Sequence, residues 1–82
     1  MTNPITVEKL AEKLTELHAG MTAGEYKHGE YDQRLSRIIQ ELRERGVDAD
    51  RAKIFAKLEE LLKSGVITPS VKSHLENRLG LV

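Results

Sequence analysis

At 82 residues, with thirteen basic and thirteen acidic side chains, the chain is long enough for one domain, taken as residues 1–82, and carries no net charge. That balance excludes a global attraction to nucleic acid or anionic lipid. The absence of cysteine excludes a disulfide framework, a thiolate zinc site and a cysteine nucleophile. The charge is unevenly spread: residues 1–50 hold seven Lys/Arg against ten Asp/Glu, and residues 51–82 hold six against three. No basic segment followed by an apolar stretch opens the sequence, and no apolar run approaches the roughly 18 residues of a membrane span. The expectation is a cytoplasmic protein that does not engage membrane.

The first helix is predicted over about residues 7–19, capped by Thr6, with Val7, Leu10, Leu14 and Leu17 forming a seam at alternating spacings of three and four. Those aliphatics exceed what one neighbouring helix needs. They are therefore the expected partner or self-association surface, with a dimer as the simplest closed form.

A break at Gly20-Met21-Thr22 leads to a second helix over about 23–45. Thr22 and Glu25 have the spacing of a capping box, and Met21 and Tyr26 that of a hydrophobic staple. Gly29 interrupts this helix and predicts a bend, after which Tyr31, Leu35, Ile38, Ile39 and Leu42 share one face. Gly24-Glu25-Tyr26 repeats as Gly29-Glu30-Tyr31 at a shift of five, a period that suits neither a helix face nor a strand.

A second break at Gly46-Val47-Asp48 precedes a third helix over about 49–64, with Asp48 as its cap and Ile54, Phe55, Leu58, Leu61 and Leu62 as a wide central stripe. A third break, Gly65 to Thr68, precedes a fourth over about 69–79. Thr68 caps it, Pro69 takes its first turn, and Val71, Leu75 and Leu79 are its apolar positions, extended by Ile67, Leu81 and Val82. At Gly46 and Gly65 the residue after the glycine pairs with a leucine of the last helical turn, Leu42 with Val47 and Leu61 with Val66. Nothing alternates as a strand would. The fold class is all-α, a small bundle of about four helices.

Little in the sequence carries chemistry. Glu25, His28 and Asp32 share a face only if a helix continues through Gly29, and a solvated polar surface is the plainer reading, so no metal and no cofactor are expected. Ser36, Ser64, Ser70 and Ser73 lack a positioned base, and Ser73 and His74, as neighbours on a helix, diverge by about 100°. The protein is not expected to be an enzyme.

The run Leu61-Leu62-Lys63-Ser64-Gly65-Val66-Ile67-Thr68, within residues 58–82, resembles the helical hairpin of SHOCT domains, short bacterial modules, and so implies a protein-association element. The residues from Gly65-Val66 through Ser70-Val71-Lys72-Ser73-His74-Leu75, with the later Leu79-Gly80-Leu81, are also similar to the helix-turn-helix of LuxR-type DNA-binding domains. That second resemblance implies DNA contacts from Thr68, Lys72, Ser73 and Arg78. Against it, Leu61 is bulky where close helix-turn-helix packing wants a small residue, and Glu76 shares the reading face. The expectation is therefore a non-catalytic regulatory or adaptor module of bacterial or phage type. It would act through a protein partner or a second copy of itself, with a small helix-turn-helix DNA-binding regulator as the alternative.

Overall fold

The computed structural model describes residues 3–81, and four helices account for most of them: α1 (Val7–Thr22), α2 (Glu30–Arg45), α3 (Arg51–Lys63) and α4 (Pro69–Arg78). Val82, expected to extend the last apolar stripe, lies outside the described residues. Close approaches join α1 to α2 and α3, and α4 to the same two, while α1 does not reach α4 and α2 does not reach α3. The helices thus form a ring in the order α1, α2, α4, α3. Its interior is filled by Val7, Leu10, Leu14 and Leu17 of α1, Leu35, Ile39 and Leu42 of α2, Ile54, Leu58 and Leu61 of α3, and Val71 and Leu75 of α4. Among the described residues no polar side chain is buried, so the core is held by apolar burial alone.

α1 begins where expected, the Thr6 hydroxyl accepting from the Lys9 amide at 3.1 Å. It does not stop at Gly20. The helix runs on to Thr22 and closes at Gly24, whose φ of 73° is open to a residue without Cβ. There the Glu25 amide donates to the Gly20 carbonyl and the Gly24 amide to Met21, the two bonds of a Schellman ending. The expected capping box and staple are consequently absent. Thr22 sits in the last turn near His18, Met21 is exposed, and Tyr26 instead covers Gly20.

The helix expected over 23–45 with a bend is in fact a loop followed by a straight start at Glu30, because Gly24 and Gly29 both adopt positive φ and neither continues a right-handed helix. This accounts for the repeat at five. The first Gly-Glu-Tyr ends α1 and the second begins α2, with Glu30 Oε1 accepting from the Lys27 amide at 3.2 Å.

α2 ends at Gly46, and the chain then lies beside the segment preceding α1. Ile5 donates to the Gly46 carbonyl at 2.8 Å and accepts from the Asp48 amide at 2.7 Å, forming an isolated parallel bridge to Val47. Asp48 is thereby engaged through its backbone, and the cap of α3 is Asp50, which accepts from the Lys53 amide at 2.8 Å. α3 and α4 end as α1 does, at Gly65 and Gly80, the latter turning Leu81 back into the core. Thr68 caps α4, accepting from the Val71 amide at 3.2 Å.

Candidate functional site

The four residues expected to form an association surface do not form one. Val7, Leu10, Leu14 and Leu17 are each at most 4% exposed, because α1 meets two helices rather than one and the whole seam is spent inside the bundle. A second copy finds nothing there to bind.

The residues expected to contact DNA are brought to different sides of α4. Lys72 points to α3, its Nζ 3.2 Å from both Glu59 and Glu76 and about 6.0 Å above the Phe55 ring, with its side chain only 16% exposed. Those carboxylates, Glu59 foremost, raise its pKa above the ordinary lysine value. Thr68 is occupied as a cap. Ser73 is exposed, its carbonyl accepting from Asn77 at 3.0 Å. Arg78 faces the other way, toward α2.

Arg78 and α2 together define a cleft of about 550 Å³ between α2 and α4. Spacings of four build its walls. Ser36, Gln40 and Glu44 recur along α2 with Ile39 and Arg43 beside them, and His74 and Arg78 recur along α4. Ile39, itself buried, supplies the apolar floor. Toward one end the cleft continues past Asp32 and Ser70, and toward the other past Leu79 and Gly80.

The two arginines of the cleft differ from those that are paired along the neighbouring surface. Arg34 is held by Glu30 at 2.8 Å and stacked 4.7 Å over Tyr26, and Arg45 is held by Glu41 at 2.9 Å. Glu41 also receives Lys13 of α1, and these partners, Arg45 foremost, hold its carboxyl below the ordinary range. Arg43 and Arg78, by contrast, enter no ion pair among the described residues, a state they share with Lys27, Arg37, Arg51, Lys53 and Lys63, and of these seven they alone stand on the two facing walls of this cleft. The carboxylate nearest in the cleft, Glu44, accepts from the Gln40 amide at 3.2 Å. Two exposed guanidinium groups thus stand on facing helices with no ion-pair partner among the described residues.

Ser36 and His74 line the same cleft, and among the described residues no hydrogen bond joins them. Glu25 and His28 lie in the loop and Asp32 on α2, so the continuous helix that would align them is not formed, and among the described residues no three His, Asp or Glu side chains converge as metal ligands. No described helix is long and apolar enough to cross a membrane.

The cleft was not apparent from sequence patterning, although one signal was present. Arg43 and Arg78 have no acidic residue three or four positions away on their helices, whereas Arg34, Arg45 and Lys72 do. No family model, no curated protein and no solved structure matches the chain.

Proposed function

We propose that this chain is a non-catalytic regulatory or adaptor module that works by protein–protein association, and that the α2–α4 cleft is the surface it offers. The observation that carries the reading is the pair Arg43 and Arg78, exposed on facing walls above Ile39 and without an ion pair among the described residues. Arginine binds carboxylates through a planar, two-pronged fork, and it recurs among the residues that dominate protein interfaces. A floor of apolar side chain beneath two such forks suits a helix or strand with acidic residues on its rim. A cytoplasmic setting belongs to the same reading, in keeping with the absence of cysteine and of a spanning helix.

DNA binding through α4 ranks behind it. The lysine of that reading, Lys72, is neutralised by Glu59 and Glu76 and faces α3, so it brings no free charge to a phosphate. The discriminating experiment is affinity capture from the source cell with the unmodified chain and with Arg43→Ala/Arg78→Ala, analysed for both protein and nucleic acid. A protein retained only by the unmodified chain is the expected result. Nucleic acid retained equally by both, with no protein, overturns the reading.

A further inference from the structure

We propose that the cleft accepts the outer face of α1 from a second copy of this chain, so that the protein stacks head to tail; this rests on the cleft being an association surface. α1 spends Val7, Leu10, Leu14 and Leu17 on the core, and at about 100° per residue the stripe Glu8, Glu12 and Glu16 is centred about 180° away from them. All three are exposed. Glu8 and Glu16 enter no ion pair among the described residues, and Glu12 has only a long contact of 3.7 Å with Lys9. An acidic helix face with one long internal contact and a cleft that sets two arginines without ion pairs against a single carboxylate, Glu44, therefore occur in one molecule.

Their placement sets the kind of assembly. The backbones of α1 and α4 do not approach each other, so the stripe and the α4 wall of the cleft stand at opposite corners of the ring, an arrangement that favours contacts with two different copies over a reciprocal pair across a two-fold axis. The contact is heterologous and leaves a free cleft at one end and a free stripe at the other, so growth continues rather than closing at a dimer. This replaces the leucine-seam dimer, whose residues are buried, with an electrostatic contact between exposed faces. Such a contact is strong only where screening is weak, at low ionic strength.

The test is sedimentation velocity on the full chain up to about 1 mM, the range in which weak contacts register. It is run near 0.01 M salt, where the screening length is about 30 Å, and near 1 M, where it is about 3 Å. Mass that rises steadily with concentration at low salt and returns to monomer at high salt is expected. Glu8→Gln/Glu12→Gln/Glu16→Gln and Arg43→Gln/Arg78→Gln alter exposed positions only, and far-ultraviolet circular dichroism verifies that each folds. Each alone should stay monomeric, because one half of the contact is gone. Mixed, they should form a 1:1 dimer and nothing larger, one supplying the cleft and the other the stripe. An unmodified chain that stays monomeric, or association that survives either set of substitutions, overturns the proposal. A monomer that still captures a foreign protein through Arg43 and Arg78 defeats the stacking alone, whereas stacking without such capture defeats only the adaptor reading.

Discussion

The ring of Tyr26 lies against the backbone of Gly20 so closely that a Cβ on Gly20 would fall on the phenol. Gly20 sits inside α1, where alanine ordinarily adds about 1 kcal/mol of helix stability. Gly20→Ala should instead destabilise, because overpacking typically costs about 1–3 kcal/mol and here displaces the anchor of the 23–29 loop. In a Tyr26→Ala background the same substitution should become stabilising. Thermal melts of the four combinations check this, and a Gly20→Ala effect independent of Tyr26 would remove the ring as its cause.

The α1 seam makes a second prediction, opposite to that of a dimer interface. A single Leu14→Ala should cost about 2–5 kcal/mol. Leu10→Glu with Leu14→Glu should abolish the fold, since the total stability of a domain this size is about 4–12 kcal/mol. Circular dichroism at neutral pH should show loss of helix, with no folded monomer as an intermediate outcome.

Acid should weaken the bundle through identifiable groups. Glu41, bonded by Arg45 and Lys13, and Glu30, bonded by Arg34 and the Lys27 amide, are both held below the ordinary carboxylate value of 4.5. A carboxyl whose folded value is depressed contributes stability above its unfolded value and loses it as pH falls through the folded one. Melting temperature should therefore hold near neutrality and decline below about pH 4.5. Glu41→Gln should flatten that decline while lowering the neutral plateau only slightly, as expected for exposed pairs. A decline of unchanged steepness in Glu41→Gln would assign the acid response to other groups.

For DNA, an anisotropy titration against mixed genomic fragments at low salt should show at most weak binding, unchanged by Lys72→Ala with Ser73→Ala. A discrete, sequence-selective complex lost on those substitutions would restore the helix-turn-helix reading. Lys72→Ala should also separate Glu59 from its bridge to α4, and a small drop in melting temperature would register that loss independently of any ligand.

Much of the fold was legible because leucines at three- and four-residue spacing leave one solution to burial. Leu10, Leu14, Leu58 and Leu75 are all in the core, and Thr6, Thr68 and Gly65 act as the helix boundaries their types suggest. The errors fell at helix boundaries, where contacts distant in sequence or the packing of a loop residue settle the outcome. Gly20 reads as the stop of α1, whereas the positive φ that ends the helix is at Gly24 and Tyr26 packs back over Gly20. Asp48 reads as the cap of α3, but its amide is engaged by Ile5 across the chain and Asp50 caps the helix instead. Cleft formation was less legible still, because it depends on which helices become neighbours, and Arg43 acquires Arg78 as its counterpart only through the ring order.

The bridge between Ile5 and the Gly46–Asp48 corner has a consequence for the order of events during synthesis. Ile5 leaves the ribosome well before Gly46 and Asp48, and until α2 has been made and its end has turned, both of its backbone bonds must be met by water. The segment ahead of α1 thus docks only after a distant turn exists, at the expense of closing a long loop. Early in the chain, it is nonetheless among the late contacts to form.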